Sequence, residues 1–365
     1  DGGAWRRVME PFVKRSPELM SEILRPLRGT KHPLLMAKFG MLAVRSCRGI
    51  VESRFKTDEG RALFAGCAAH SFLPLEALGS GSFGLALALT GHAVGWPCAK
   101  GGSHRIIDAM VTRLRELGGE VRVDAPVRTL RDVPPSRAVL FDLSPRQVAQ
   151  IAEEEVPSSF RDELNRFKHG PGVFKVDWAL SGPIPWRNMA CRQAATVHVG
   201  GTFEEVAESE AAAWTNRPSP KPFVLVAQQS LFDATRAPAG KHTGWAYCHV
   251  PHGFAEDMTG AIELQIERFA PGFRDLILAR HIMRPADFQR HNANMIGGDI
   301  GGGANTLRQF IFRPTRRWNP YTTPNPRLFI CSSSTPPGGG VHGMCGYWAA
   351  RAALHRVFKA NSKDH

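Results

Sequence analysis

The segment from Leu328 to Leu354 constrains the fold of this chain most strongly, because a strand, a glycine turn and a helix follow one another without interruption. Leu328-Phe329-Ile330-Cys331 predicts a short buried strand, and the residues from about Met344 to Phe358 predict a helix. Between them, Gly338-Gly339-Gly340 lacks every Cβ atom, so a flat ligand can approach the backbone closely. The helix N-terminus offers N–H groups and the positive end of its dipole to an anionic group.

This turn has two interpretations on residue chemistry alone. In the first, it holds a flavin or another phosphate-bearing cofactor, with the flavin N1–C2=O edge at the helix N-terminus, where reduction places negative charge. The hydroxyl residues upstream, from Ser332 to Thr335, then bind the ribityl chain or the pyrophosphate. In the second, the turn is a glycine-rich surface loop that precedes an amphipathic helix. Residue chemistry favours neither interpretation over the other.

Composition excludes several classes of protein. The chain has 365 residues, enough for two or three domains, and it contains no run of about 18 apolar residues that would predict a membrane span. Its seven cysteines are dispersed without a Cys-x-x-Cys pair, which argues against a disulfide framework or a zinc site and fits a reducing compartment. The formal net charge of +13 is spread along the chain without a long basic run, so we predict a solvated basic surface and no nucleic-acid partner.

The pattern along the chain predicts an α/β fold in four regions. Residues 1–94 predict a helical cap or substrate region, because apolar residues recur at helical spacing from Leu34 to Leu42. Residues 95–149 predict part of an α/β nucleotide-binding domain, and residues 291–365 predict its C-terminal part. Residues 150–290 predict a mixed-sheet substrate domain inserted between those two parts.

Individual elements within these regions are also predicted. Gly101-Gly102-Ser103 opens a helix, and Gly118-Gly119 ends it. The apolar face of that helix consists of Ile106, Ile107, Met110, Leu114 and Leu117. Strands are predicted at Glu120–Val123, Ala138–Leu143, Val173–Trp178, Phe223–Gln228 and Trp245–Val250. Helices are predicted at Phe203–Ala213 and Gly260–Phe269.

One stretch, Gly79-Ser80-Gly81-Ser82-Phe83-Gly84, fits the dinucleotide-binding pattern G-x-G-x-x-G letter for letter. That pattern requires a strand before it and an acidic residue about twenty positions after it. Here Pro74 interrupts the preceding segment, which lacks β-branched residues, and the region from Lys100 to Arg105 is basic. We therefore predict a tight connection between helices near the substrate side.

Other candidate residues have weaker support. The fourteen histidines show no H-x-x-x-H or H-E-x-x-H spacing, so no metal site is predicted. No G-x-S-x-G sequence follows a predicted strand, which argues against a serine hydrolase. In the glycine-rich segment Gly297-Gly298-Asp299, Asp299 either faces a cofactor or caps a turn, and the sequence does not decide between these roles.

Several motifs together resemble those of the phytoene desaturase-related FAD-dependent oxidoreductases. The segment from Ser333 to Gly346, SSTPPGGGVHGMCG, resembles the C-terminal flavin signature of that family. Three further segments agree with the motifs of that family in order and spacing: Gly95-Trp96-Pro97, Asp124-Ala125-Pro126-Val127 and Leu140-Phe141-Asp142-Leu143-Ser144-Pro145. Two more segments are similar to motifs of the phytoene dehydrogenase-like branch of the family: Gly297-Gly298-Asp299-Ile300 and Arg313-Pro314.

The resemblance implies FAD bound across a split Rossmann-like domain of the glutathione-reductase type, with hydride passing from the substrate to flavin N5. It implies that the backbone at Val127 contacts the adenine and that the turn from Gly339 to Met344 lies beside the isoalloxazine ring. The predicted cofactor-binding residues are Val127, Ser333, Pro337, Gly338, Gly339, Gly340, Val341, His342, Gly343 and Met344. His342 is also the candidate catalytic residue, since the resemblance places it at the ring.

The predicted function is therefore an FAD-dependent oxidoreductase that dehydrogenates or isomerises a hydrophobic small molecule. The alternative is a non-catalytic, flavoprotein-like scaffold or interaction protein. Family members open with a strand and a pyrophosphate-binding glycine turn, whereas Asp1-Gly2-Gly3-Ala4-Trp5 resembles the helical region after that unit, so we expect the unit to be missing from this chain. We further expect a cytoplasmic protein, peripheral contact with an anionic membrane, and a homodimer.

Overall fold

A layer of six helices occupies the first 94 residues in the computed structural model, which describes residues 1–26 and 29–359. These helices are α1 (Gly2–Val13), α2 (Ser16–Ile23), α3 (Pro33–Ala43), α4 (Cys47–Arg54), α5 (Asp58–Ala68) and α6 (Ser80–Ala93). Side-chain caps start two of them: Ser46 accepts a hydrogen bond from the Gly49 N–H ahead of α4, and Thr57 accepts one from the Gly60 N–H ahead of α5. The helical character predicted for this region is confirmed.

The stretch Gly79 to Gly84 forms the start of α6. Gly79 has a φ of +88°, and the buried Ser80 hydroxyl accepts a hydrogen bond of 2.8 Å from the Cys47 N–H. A Cβ on Gly81 would collide with the Ile50 side chain, and one on Gly84 would come within 2.7 Å of the Phe64 ring. The glycines therefore let helices pack closely, which confirms the predicted helix-to-helix connection.

The next region contains α7 (His104–Glu116), β1 (Val139–Phe141), α8 (Pro145–Ile151) and α9 (Ser158–Asn165). The predicted boundaries of α7 are confirmed: it follows Gly101 and Gly102, and it ends where the Gly119 N–H bonds the Leu114 carbonyl at 2.9 Å. The strand predicted at Ala138–Leu143 is confirmed as β1, but the one predicted at Glu120–Val123 is wrong. Among the described residues no strand lies beside that segment, so no ladder of hydrogen bonds can form there.

A five-stranded antiparallel sheet follows, with strand order β3-β4-β5-β2-β6. Its strands are β2 (Gly172–Leu180), β3 (Thr196–Val199), β4 (Val224–Ala227), β5 (His242–Val250) and β6 (Ile277–Met283). The helices of this region are α10 (Phe203–Ala212), α11 (Thr259–Phe269) and α12 (Pro285–His291). The predictions that correspond to β2, β4, β5, α10 and α11 are confirmed, whereas β3 and β6 were not predicted. One face of the sheet packs with α11 into a buried core that includes Phe174, Val226, Ile262 and Ile266.

The last region contains α13 (Leu307–Ile311), β7 (Leu328–Ile330) and α14 (Met344–Phe358). β7 pairs in parallel with β1, with Phe141 opposite Ile330, and the two strands share a core with α8 and α9. The predicted final strand and helix are confirmed, and the α/β class with parallel and antiparallel sheets is confirmed. The division into four domain regions stays a prediction. Across the described residues, no helix combines the length and the apolar character needed to cross a membrane.

Candidate functional site

The turn between β7 and α14 begins with hydroxyl residues that mostly bond one another. The hydroxyls of Ser332 and Ser334 lie 2.7 Å apart, and the Thr335 hydroxyl donates to the Ser332 carbonyl at 2.8 Å. All three residues are buried, so they build the turn and are not free to bind a ligand. The half-buried Ser333 is different, because its hydroxyl has no hydrogen-bond partner among residues 1–26 and 29–359. Ser333 is thus the one predicted hydroxyl ligand that this turn leaves available.

The three glycines of the turn have separate roles. Gly338 is buried with a φ of +108°, and a Cβ there would come within 2.9 Å of Arg313 Nη1. A Cβ on Gly339 would lie 2.5 Å from the Gly301 carbonyl oxygen. Gly340 is exposed, with a φ of +151° and only the His342 ring close to it. Gly338 is therefore enclosed by the protein, whereas Gly339 and Gly340 are both exposed, with Gly339 in contact with the Gly301 backbone on one side. The cofactor-binding role of the three glycines stays a prediction.

His342 caps the N-terminus of α14. Its Nδ1 accepts a hydrogen bond of 3.0 Å from the Met344 N–H, while Gly343 adopts a φ of +64° between them. Partial burial lowers the pKa of His342, although a hydrogen bond to the Gly338 backbone acts in the opposite direction. The ring is therefore neutral at neutral pH, and because Nδ1 accepts, Nε2 carries the proton. Val341, beside it, is 94% exposed.

Two other predicted cofactor residues lie at the margins of the turn. Pro337 is half-buried and follows Pro336, whose carbonyl accepts a hydrogen bond of 3.0 Å from the Tyr321 hydroxyl. Val127 belongs to the irregular segment between α7 and β1, and 40% of its surface is exposed. The turn thus brings Ser333, Pro337 and residues 338–344 together, while Val127 is contributed by a separate segment that lacks the predicted strand.

Arg313 braces this turn from inside the protein. It is 1% exposed, and its guanidinium donates to the carbonyls of Ser333 at 2.9 Å and Ser334 at 3.2 Å. The same group donates to the Gly302 carbonyl at 3.0 Å and to Asn305 Oδ1 at 3.2 Å. Burial lowers the pKa of Arg313 to about 10, against the opposing effects of Cys345 and Asp299, so the side chain remains a cation at neutral pH. A single buried charge therefore ties the glycine turn to the loop around Gly302.

Asp299 organises that second loop. Its carboxylate accepts hydrogen bonds from the N–H groups of Gly170, Gly301 and Gly303 at 2.8, 2.8 and 3.0 Å. Burial acts to raise the pKa of Asp299, but His169, whose Nδ1 lies 3.4 Å from the carboxylate, and the hydrogen bonds from backbone N–H groups outweigh it, and the pKa is lowered. Of the two roles left open for Asp299, the structure supports the turn cap.

A small polar cavity lies where β1 and β7 end. Its lining includes Ser144, His169, Asn294, Gly302 and Ser333. Asn294 fixes one wall, because its Oδ1 accepts from the Ser144 N–H at 2.8 Å and its amide donates to the Asp142 carbonyl at 2.9 Å. The carboxyl ends of parallel strands are the usual ligand-binding edge of α/β sheets. The free Ser333 hydroxyl thus lies at the edge where a ligand of this fold class is expected.

A buried group of ionisable residues was missed by the sequence analysis. His249 Nδ1 lies 2.7 Å from Glu210 Oε2, and both side chains are 1% exposed. His249 Nε2 and Glu210 Oε1 are buried without a hydrogen-bond partner in the described parts of the chain. Nearby, His70 Nε2 and His198 Nε2 are 2.9 Å apart. No sequence signal would have grouped these residues, because they come from the helical layer, β3, α10 and β5.

This histidine group is connected to the glycine turn. The Asn305 amide donates to the Ser71 carbonyl at 3.1 Å, next to His70, and Asn305 Oδ1 accepts from Arg313. Burial lowers the pKa of His70 to about 3 and that of His198 to about 4. Both rings are therefore neutral at neutral pH, so one can donate a hydrogen bond to the other.

Sequence comparison leads to proteins named as oxidoreductases, although no family model matches the chain. A segment of 154 residues is 36% identical to pyridine nucleotide-disulfide oxidoreductase domain-containing protein 2 of Mus musculus and 33% identical to the protein of that name in Rattus norvegicus. The segment covers 39% of this chain and 26% of each relative. The match thus spans about a quarter of the length of these relatives.

Solved structures of oxidoreductases share the fold. An oxidoreductase from Methanosarcina mazei matches with a TM-score of 0.54 and 13% identity, over 90% of this chain and 74% of that one. Putrescine oxidase bound to putrescine matches with a TM-score of 0.56 and 14% identity, over 95% of this chain and 74% of that one. The likeness is one of fold, and it supports the α/β architecture found here. The glutathione-reductase-type split and the desaturase-related branch stay predictions.

Proposed function

We propose that this chain supplies the ring-side part of an FAD site in an oxidoreductase. The observation that carries the proposal is the exposed edge of the turn at the carboxyl ends of β1 and β7. There Gly340 has no Cβ, Ser333 has a free hydroxyl, and His342 fixes the start of α14. The fold likeness to solved oxidoreductases and the sequence match to two curated ones support the same conclusion.

The residues present fit the chemistry of a flavin. The N-terminus of α14 carries the positive end of a helix dipole, and the buried Arg313 cation lies behind Gly338. Both charges would favour an anionic group at this edge. Ser333 would bind polar groups of the cofactor side chain, and the neutral His342 would hold the turn in place. When bound, FAD supplies the hydride acceptor, so this chain needs only to bind and orient the reactants.

The substrate class follows from the resemblance to phytoene desaturase-related enzymes. We propose a desaturase-like or dehydrogenase-like reaction on a hydrophobic small molecule. The homodimer, the peripheral contact with an anionic membrane and the cytoplasmic location belong to the same proposal. The lysines and arginines, 46 against 33 acidic residues, support an anionic surface or ligand as a partner.

The proposed site also requires a dinucleotide-binding unit that contacts α7. The predicted apolar face of α7 is largely exposed. Its five residues are between 43% and 69% exposed: Ile106, Ile107, Met110, Leu114 and Leu117. Val121 and Val123, in the segment without a strand partner, are 42% and 78% exposed. The chain accounts for 74% of the length of the matched solved structures, which leaves a part of those proteins without an equivalent here. We propose that a unit with the pyrophosphate-binding turn covers this face.

Flavin absorbance of the full protein tests the proposal, with Gly339→Ala and Gly346→Ala as a matched pair. Both variants add one methyl group. At Gly339 the new Cβ would meet the Gly301 carbonyl at 2.5 Å, whereas at Gly346 no atom lies within 4 Å. We expect Gly339→Ala to weaken FAD binding at least about tenfold, equivalent to about 1.4 kcal/mol. Gly346→Ala should bind FAD as the parent protein does.

The outcomes separate the proposal from its alternative. Full protein that shows no flavin absorbance after incubation with FAD would contradict the cofactor assignment, as would equal loss of binding in both variants. Anaerobic bleaching of the bound flavin by a hydrophobic substrate is expected for an enzyme. Bound flavin that no such substrate bleaches would instead support the non-catalytic scaffold.

A further inference from the structure

A basic groove lies among helices α1, α3 and α4, away from the glycine turn in sequence. It has a volume of about 440 Å³, within the range of about 300 to 1,000 Å³ that is common for small-molecule sites. Its lining consists of Ala4, Arg7, Val8, Pro11, Phe12, Lys38, Met41, Leu42, Arg45, Ser53 and Arg54. We call this the basic groove. Four of these residues are cationic, and none is acidic.

Three of the four cations have no anionic partner in the described parts of the chain. Among the described residues, Arg7, Lys38 and Arg54 make no ion pair and no side-chain hydrogen bond. Arg45 donates to the Gly49 carbonyl and to the Ser53 hydroxyl, and both acceptors are neutral. The groove therefore holds a concentrated positive charge that the protein itself does not neutralise.

The acidic residues on the same helices are engaged elsewhere. Glu10 on α1 pairs with Lys14 at 2.6 Å, and Glu52 on α4 pairs with Arg48 at 3.3 Å. The carboxylate of Asp1 accepts hydrogen bonds from the N–H groups of Lys56 and Thr57 at 2.8 and 2.7 Å. None of these three carboxylates lines the groove. The groove cations, three of which are exposed to solvent, are therefore available to an external anion.

The floor of the groove is apolar. Val8 and Phe12 are 6% and 2% exposed, and they belong to the core of the helical layer. Leu42 packs against the same core, while Met41 at the rim is 68% exposed. A ligand that reaches this floor would place an alkyl chain against Val8, Phe12 and Leu42 while its head group meets the cations. A fully polar anion would leave the floor in contact with water.

We propose that the basic groove binds one molecule of a single-chain anionic amphiphile, with a phosphate or carboxylate head group among the four cations. The concave shape and the volume favour one monomeric ligand in the groove over contact with a flat membrane surface. Charge complementarity selects an anion, and the apolar floor selects an alkyl chain. This site is separate from the proposed flavin site, and its test does not depend on bound flavin.

Calorimetric titration of the full chain with monomeric dodecyl phosphate tests the proposal. We expect one molecule of dodecyl phosphate to bind per protein chain. It should bind about a hundredfold more tightly than inorganic phosphate, because its alkyl chain is buried against the floor of the groove. Arg7→Ala/Lys38→Ala should weaken binding by at least about tenfold, because two charge-assisted contacts are lost. The matched control is Arg6→Ala/Lys14→Ala, which removes the same charge at and beside α1 but outside the groove.

A second variant tests the apolar part of the groove without changing its charge. Met41→Gln replaces an exposed rim residue with a neutral polar one, so the protein should fold, and binding of dodecyl phosphate should fall about fourfold, the equivalent of about one buried CH₂ group. Equal loss in the groove and control doubles would overturn the proposal, as would equal affinity for inorganic and dodecyl phosphate. Binding to vesicles of phosphatidylglycerol without any binding of monomeric dodecyl phosphate would also overturn it, and would indicate a membrane-contacting surface instead.

Discussion

Arg313 positions the backbone of the candidate cofactor site from inside the protein, without lying on the surface that a cofactor would contact. A buried guanidinium loses most of its hydration, and it is tolerated only where hydrogen-bond acceptors replace the lost water. Here three backbone carbonyls and the Asn305 side chain supply those acceptors. Because the acceptors belong to two different loops, the arginine fixes the glycine turn relative to the Gly302 loop.

Replacing Arg313 with methionine should destabilise the protein strongly. Arg313→Met keeps the approximate length of the side chain but leaves four buried or partly buried acceptors without their donor, at a cost of about 1 to 3 kcal/mol for each unsatisfied group. We expect a loss of at least about 3 kcal/mol, and weaker FAD binding with it. Thermal unfolding and flavin titration of the full protein measure the two effects.

Arg308→Met is the matched control, because Arg308 is an exposed residue of the nearby helix α13. Its effect on stability should stay within about 0.5 kcal/mol. If Arg313→Met were no more destabilising than Arg308→Met, the role assigned to the guanidinium in holding the two loops together would be wrong.

Helix α7 is formed by local sequence but is not buried by the described fold. Its glycine boundaries and its periodic apolar residues are those of an amphipathic helix, yet none of its residues is buried. A helix usually gains most of its stability from packing of its apolar face. The exposed face therefore indicates a surface that another unit or another molecule covers.

Lysine substitutions on α7 should reduce self-association and leave the fold intact. In the chain of residues 1–365, Ile107→Lys/Leu114→Lys should change stability by no more than about 0.5 kcal/mol, because both side chains are exposed. Sedimentation should show less self-association than for the parent chain, since the apolar face is interrupted. Ile266→Lys, which buries a charge in α11 at a fully buried position, should unfold the sheet core. Loss of stability as large as that of Ile266→Lys would show that the α7 face is covered within this chain.

Three separate hydrophobic cores are present in the part of the chain that the structure describes. The first lies in the helical layer around Phe12 and Phe64, the second between the five-stranded sheet and α11, and the third between the β1–β7 pair and helices α8 and α9. The first core also includes Phe203 and Val206 from α10, so α10 joins the helical layer to the region that contains the sheet. Arg313 and Asn305 supply a polar connection between the helical layer and the glycine turn.

These cores predict thermal unfolding in more than one step. We expect the calorimetric enthalpy of the chain to exceed its van't Hoff enthalpy, because regions with their own cores lose structure separately. Phe64→Ala should lower the midpoint temperature of one transition and Phe160→Ala that of another. Each variant should lose about 3 to 5 kcal/mol in the free energy of unfolding of the region that contains its core. Phe232→Ala, at a side chain that is 54% exposed, is the control and should shift neither. A single transition with equal enthalpies would contradict this division.

Local signals predicted those elements whose residues carry the information themselves. The start and end of α14 follow from Gly343 and from the apolar periodicity after it, and α7 follows from its flanking glycines. β2, β4 and β5 were recognisable because they are apolar and mostly buried. β6 was missed because it is an edge strand with exposed residues from Leu278 to His281, and β3 because only its last residue is buried, so it lacks an apolar run.

In the candidate site, too, some features follow from local sequence and others only from tertiary packing. The glycine turn, its hydroxyl residues and its position before a helix could be predicted from residue types, because glycine, proline and serine favour turns and interrupt regular elements. How much space each glycine leaves depends on Arg313 and Gly301, which lie against Gly338 and Gly339 and come from distant parts of the chain. The His249–Glu210 pair and the basic groove likewise join residues that only packing brings together. Residue order encodes local conformation, whereas long-range contacts decide which groups meet and which remain free to bind a ligand.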